Sequence, residues 1–232
     1  MRIKGISLRL LAAAIAFALG VGIATYYRFR HNAPFAARKP KAEPARTGCF
    51  PGKSFQLHTT GKMTYFPTDA VSESRTEWYS KHLAAMKEAS LYASDNDAVE
   101  SYRFLWLRSF HRPIAVRLWK TETDQFITFK ETNGAGGYEP GDLVVDQTRK
   151  LERGEWDAFV QRLDDMCYWN LPTNDPEFGG LDGAEWILEG VRGDRYHMVD
   201  RWTPQTGSYF EACVYALTLA GFKSDPKAES IY

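Results

Sequence analysis

The chain reads as an α+β protein: an antiparallel sheet of about five strands with helices packed on one of its faces, in the order α-βββ-α-ββ-α, preceded by one N-terminal transmembrane helix. Three observations predict this. Strand-like segments follow one another across short links, and short links force antiparallel pairing because a parallel crossover needs a dozen or more residues. Helical segments come after runs of strands, the α+β arrangement. An uncharged apolar run lies near the N-terminus, where a membrane segment belongs.

That run covers 10–24 without a charge and extends to 18 uncharged residues when counted through Tyr27. Roughly 20 apolar residues span a bilayer as a helix. Arg2, Lys4 and Arg9 precede it, and Tyr26 and Tyr27 stand where interfacial aromatics belong. A cleaved signal peptide with its small-residue site at Gly22-x-Ala24 is the rival reading. Arg28 and Arg30 directly after it favour an uncleaved anchor, so 1–27 is taken as the anchor or signal segment and the membrane as a partner through 8–27. Charge counting argues for a cytoplasmic domain, whereas the short basic n-region argues for export; the sequence leans towards export. Residues 28–47 are basic and rich in Pro and Ala, the composition of a semi-stiff tether. Residues 48–232 then form a single globular domain, a usual length for one.

The formal net charge of zero hides an asymmetry. Nine of the 29 Lys/Arg and one of the 29 Asp/Glu fall in 1–47, which leaves 20 and 28 in 48–232, a net of −8. An acidic domain repels a phosphate backbone, so nucleic acid is excluded as a partner and a protein partner is the alternative. The three cysteines, Cys49, Cys167 and Cys213, show no metal-ligand spacing, and no cofactor or metal is expected. Cys167 and Cys213 lie on the apolar stripes of two helices, so a bond between them is possible, although burial alone explains both.

The elements follow in order. Residues 48–70 are irregular or hold a short strand. Ser74-x-x-Glu77 fits a capping box, and Trp78, His82, Ala85, Met86 and Ala89 recur at helical spacing up to about Tyr92. Residues 101–110 alternate, with Tyr102, Phe104, Trp106 and Phe110 on one face and Arg103, Leu105, Leu107 and Ser109 on the other. Ile114, Val116 and Leu118 alternate next, and 126–129 makes a third strand. Residues 133–141 are a glycine-rich loop. A helix over 152–166 carries Trp156, Phe159, Val160, Leu163 and Cys167 as one stripe. Strands 183–189 and 195–202 form a hairpin. The last helix starts at the capping box Ser208-x-x-Glu211 and ends at Gly221 in the left-handed conformation. The core is expected to hold Trp78, Phe104, Trp106, Val116, Trp156, Phe159, Val160, Leu163, Trp186, Leu188, Met198, Cys213, Val214 and Leu217.

Several stretches together carry a likeness: Glu100-Ser-Tyr-Arg-Phe-Leu-Trp-Leu-Arg-Ser-Phe-His-Arg-Pro-Ile114, Gly136-Gly-Tyr-x-Pro-Gly141, Trp169-x-Leu-Pro172, Gly180-Leu-Asp-Gly-Ala-Glu-Trp-Ile-Leu-Glu189, and Tyr196-His197 with Arg201-Trp-x-Pro204. Across about 75–222 the chain resembles an uncharacterised group of small exported or membrane-anchored bacterial proteins of unknown function. That resemblance implies location, and it carries no catalytic residue. The group tends to show Ser or Thr at the cap of the middle helix, where this chain has Glu152.

Of the polar groupings, the glycine loop lacks either nucleotide fingerprint, and Pro140 removes a backbone donor. Arg192-Gly-Asp194 is explained by a hairpin tip. Ser109 and His111 flank a turn at Pro113 without an orienting acid. The best constellation is Glu185, Glu189, His197 and Arg201, two acids on one strand face and two bases on one face of the next. A three-residue hairpin loop at 192–194 sets Glu189 opposite His197 and Glu185 opposite Arg201, a charge ladder on the solvent side of the sheet. A two-residue loop at 193–194 is the alternative, but it places Arg192 opposite Arg195 and mixes charges into the apolar face. Three function classes follow. The leading one is a non-enzymatic membrane-tethered domain, binding a protein or small ligand through an exposed sheet face and the loops 133–141 and 172–182. The others are a hydrolase using Glu185 or Glu189 with His197, and an immunity-type protein that neutralises a toxin with its acidic surface.

Overall fold

The computed structural model describes residues 49, 55–56, 64–93, 100–174, 180 and 182–222. The expected anchor at 1–27 and the expected tether at 28–47 lie outside these residues. Among the described residues no helix is long and apolar enough to cross a membrane. The elements are β1 (Phe55–Gln56), α1 (Glu73–Ala85), β2 (Glu100–Arg108), β3 (Ile114–Lys120), β4 (Gln125–Thr132), β5 (Leu143–Lys150), α2 (Glu155–Asp165), a 3-10 turn (Tyr168–Asn170), β6 (Ala184–Arg192), β7 (Arg195–Trp202) and α3 (Ser208–Leu219). All strands pair antiparallel in the spatial order β1-β7-β6-β2-β3-β4-β5.

The α+β class holds, with two corrections. The sheet has six long strands and a two-residue edge strand rather than about five. The strand not foreseen, β5, pairs with β4 from Lys150 opposite Phe126 to Leu143 opposite Thr132. It is an edge strand, mostly exposed, and so carries no alternation of apolar residues to read. The second correction concerns the layers: helices cover both faces of the sheet. On one face α2 and α3 bury Tyr102, Phe104, Trp106, Val116, Trp186, Leu188 and Val199 beneath Trp156, Phe159, Leu163, Phe210, Cys213 and Leu217. On the other, α1 and the preceding 65–71 segment bury Leu105, Leu107, Ala115, Ile187, Val191 and Met198 beneath Phe66, Tyr79, Leu83 and Met86. Every residue of β2 is buried in consequence. Of the expected core, Trp78, Val160 and Val214 are half-buried and the rest are buried.

Three helix starts shift. α2 begins at Glu155 behind Gly154 at φ 88°, three residues later than expected, so Glu152 is not its cap. Ser72, not Ser74, caps α1, its hydroxyl accepting the Arg75 N–H at 3.4 Å. Gly207 is the N-cap of α3 at φ 92°, which puts Ser208 inside the helix. The far end of α3 is as expected: Gly221 takes φ 79°, and Phe222 and Gly221 donate to the Leu217 and Thr218 carbonyls, a Schellman closure. Cys167 bonds Cys49 across a Cα separation of 5.5 Å, so the Cys167–Cys213 pairing is replaced; Cys213 is a free, buried thiol in the α3 core.

The β6–β7 register also differs from expectation. Arg192 pairs with Arg195, Glu189 with Met198, Gly190 with His197, Trp186 with Arg201 and Glu185 with Trp202. The loop is therefore the two-residue Gly193-Asp194, with Gly193 at φ 61° in the first turn position, as a II′ hairpin requires. Its apparent cost vanishes in three dimensions. Arg192 is drawn off to Glu100 at 2.8 Å, and Arg195 is exposed with its guanidinium 5.0 Å from the Trp169 ring centre.

Candidate functional site

Glu185 and Glu189 share one face of β6, the face under α1, and both are fully buried. The solvent-side charge ladder is thus replaced by buried polar groups. A buried carboxylate needs donors or a proton, and the two acids meet that need differently.

Glu189 meets it with side chains. Arg103, opposite it on β2, places Nε 2.8 Å and Nη2 2.7 Å from Oε2, and the Tyr196 hydroxyl donates to Oε1 at 2.9 Å. Arg103 reaches on to Glu88 at 3.4 Å and to the Ala89 carbonyl at 2.6 Å. Glu88 also receives Arg117 at 2.9 Å and Lys130 at 3.0 Å. The partners lean opposite ways: Glu189 is raised by burial against the pull of Arg103, whereas Arg103 is held more firmly charged by Glu189 despite its own burial. We take the pair as ionised, because donors occupy both carboxylate oxygens. This network ties the 87–89 segment to the sheet and is closed.

Glu185 has no such set. Neither of its oxygens has a hydrogen bond of good geometry: the Tyr79 hydroxyl is near enough to lower it but is committed to Asp200 at 2.9 Å, and its nearest cation is Arg75 Nη2 at 3.7 Å. Its neighbour is a second acid. Asp200 on β7 takes the Tyr79 hydroxyl at 2.9 Å and Arg75 Nη1 at 3.2 Å on Oδ2, and its Oδ1 is unmatched. Two carboxyl groups in contact are satisfied by one shared proton. Burial first, then Asp200, pushes Glu185 up to about 9, and burial likewise raises Asp200. A proton held on Glu185 and directed at Asp200 satisfies both groups.

Above Glu185 lies a cleft of about 650 Å³. The first turns of α1 form one wall with Arg75, Glu77, Trp78 and Lys81. Gly137 and Tyr138 of the 133–141 loop form the second, and Gly180, Asp182 and Trp202 the third. The glycines make these walls possible. A side chain on Gly136 would fall 2.5 Å from the Arg108 backbone, so only glycine lets the loop lie against the end of β2. Trp78 Nε1 then donates to the Gly136 carbonyl at 2.7 Å and fixes the loop to α1. A Cβ on Gly183 or Gly180 would meet the Trp202 ring within 2.5 and 2.7 Å, so the indole lies directly on backbone. Ser109, also in the lining, exchanges hydrogen bonds of 3.1 Å with the Gly183 N–H and C=O.

His197 and Arg201 are on the opposite face, under α2 and α3, so the structure does not bring them to the two acids. His197 is buried against the rings of Tyr168 and Trp169, and burial lowers it to about 4, a neutral core histidine. Arg201 reaches the Pro172 and Thr173 carbonyls at 2.8 and 3.1 Å and pins that loop. A hydrolytic pairing of either glutamate with His197 therefore has the sheet between its members. Buried His82 is likewise pushed down to about 4 by burial. The residues that sequence reasoning missed are Arg75, Tyr79, Asp200, Trp78 and Trp202. Only Asp200 left a signal there: in the three-residue register it falls opposite Trp186 on the apolar face and so requires a donor or a place at the rim. Among the described residues no group of three or more His, Cys, Asp or Glu is placed to hold a metal ion. Comparison with protein-family models, with curated proteins and with solved structures finds no match.

Proposed function

We propose that the protein is a non-enzymatic, membrane-tethered binding domain, and that its ligand enters the cleft between α1, the 133–141 loop and the Gly180, Asp182 and Glu185 side of the sheet. The observation that carries this reading is the convergence of three aromatic rings and several charged groups on a concave space above a buried, donor-less carboxyl. Ligand sites combine concavity, apolar lining and a few placed polar groups in this way. The binding part of the reading moves from an exposed sheet face to a cleft, because α1 covers that face. The chemistry of the lining supports binding over turnover. The cleft is lined by neither His nor Cys, and the Ser109 hydroxyl is engaged with Gly183. The tether rests on the uncharged run at 10–27. The Cys49–Cys167 bridge supports export, since disulfides persist in oxidising compartments.

The test uses the full chain in detergent, labelled with 5-fluorotryptophan, which gives one fluorine signal for each of seven tryptophans. Small-molecule fractions extracted from native envelopes are added, and Trp78→Phe and Trp202→Phe assign the two cleft signals. A subset of fractions should move Trp78 and Trp202 while leaving Trp106, Trp156 and Trp186 in place. If no fraction moves the cleft pair, or if the buried tryptophans move instead, the cleft is not the binding site.

A further inference from the structure

We propose that the cleft takes an organic cation, a guanidinium or ammonium head directed at Glu185 with its body against Trp78, Tyr138 and Trp202. This rests on the cleft being the binding site and names the class of ligand it takes. The argument is one of leftover charge. The two bases in the lining are already committed: Arg75 to Asp200 at 3.2 Å, and Lys81 to Glu139 at 2.9 Å. Of the acids, Glu77 and Asp182 are exposed and pair with no base among the described residues, and Glu185 has no hydrogen-bond donor. What the cleft has left to offer a ligand is therefore negative. An anion would find neither base free.

The aromatic walls point the same way. Ring faces attract cations, and two indoles and a phenol line the space. Tyr138 is 60 % exposed, so its ring is open to a ligand. Once the side chains that now cover them give way, a guanidinium head also supplies the donors that both Glu185 oxygens lack.

Binding is then coupled to proton release. Glu185 holds the shared proton in the free protein, and an arriving cation displaces it. The groups that decide this are Arg75 and Tyr79 on α1, Asp200 on β7 and Asp182 at the rim, with Arg201 acting on Asp200 through the field. The β2 residue beside Glu185 is Leu107, which carries no charge. Affinity for a permanent cation should rise as pH climbs from 6 towards 9.

Three probes with one common body separate the possibilities: benzylguanidinium, benzyl alcohol and benzoate, each titrated into the fluorotryptophan-labelled full chain. Benzylguanidinium should saturate the Trp78 and Trp202 shifts with at least tenfold higher affinity than either matched probe, and should tighten with pH. Glu185→Gln should lower that affinity at least tenfold and remove its pH dependence; unchanged buried tryptophan signals would show that the variant is folded. Asp182→Asn, at the rim, should lower it a few-fold. Benzoate binding as tightly as the cation, or a cation affinity untouched by Glu185→Gln, overturns the assignment while leaving the cleft a binding site. Failure of all three probes also overturns it, and the envelope fractions then decide separately whether the cleft binds anything.

Discussion

Glu185 and Glu189 stand four residues apart on one face of one strand, and neither exposes any surface. Their surroundings nevertheless differ in kind. Around Glu189 the chain supplies an arginine, a tyrosine and, through Glu88, a further arginine and lysine. Around Glu185 it supplies another acid, one distant guanidinium nitrogen and an open space above. A buried acid closed by donors holds structure together. A buried acid closed by a proton keeps a capacity that a ligand can use. Burial alone therefore does not separate a structural carboxylate from a functional one; what completes its hydrogen bonds does.

The sharpest way to break this contrast is at the closed end. Arg103→Met leaves Glu189 and part of Glu88 without a cation in the interior. It should cost ~3–5 kcal/mol in urea unfolding at pH 7, the usual penalty for orphaning one member of a buried pair. Adding Glu189→Met should recover much of the loss, because removing both charges removes the orphan. A loss below ~1 kcal/mol in the single variant would mean that water or a proton already serves Glu189.

His197 tests whether the opposite face is as dry as it looks. Its folded value is depressed from 6.5 to about 4. Its contribution is complete above pH 6.5 and is lost as the pH falls through about 4. His197→Phe, which keeps a ring against Tyr168, should flatten the acid limb of the stability curve by ~2–3 kcal/mol over that window. His82 still titrates in the variant, so some acid sensitivity should persist.

At the open end the pH dependence runs the other way. Glu185 is raised from 4.5 to about 9, so its contribution is complete below pH 4.5 and is lost as the pH climbs towards 9. Glu185→Gln titrates nothing. Measured against the wild type by urea unfolding, it should gain several kcal/mol, up to about 5, between pH 5 and 9. A variant that instead loses ground at pH 9 would place a needed negative charge at this position.

Most strands and all three helices were legible because each carries its own period. β5 was not, since an exposed edge has no face to declare. The second covered face did leave a trace: Leu105 and Leu107 alternate with Phe104 and Trp106, and a strand apolar on both sides is one buried on both sides. The polar side chains were seen, but their partners were not. A one-residue change in hairpin register moves His197 and Arg201 to the other face. Arg75 and Tyr79 reach Asp200 from more than a hundred residues away, and nothing local to β6 announces them. The Cys49–Cys167 bond went unread for the same reason: its partners lie 118 residues apart, and the sequence offered Cys167 only burial or a possible bond to Cys213.

The contrast between the two glutamates is tested most directly by carboxyl-carbon NMR of the glutamate-labelled full chain, with Glu185→Gln and Glu189→Gln used to assign the two signals. At pH 7 Glu185 should show the chemical shift of a protonated acid and titrate near 9, while Glu189 should show that of a carboxylate. An ionised Glu185 at pH 7, or a protonated Glu189 beside Arg103, would contradict the account.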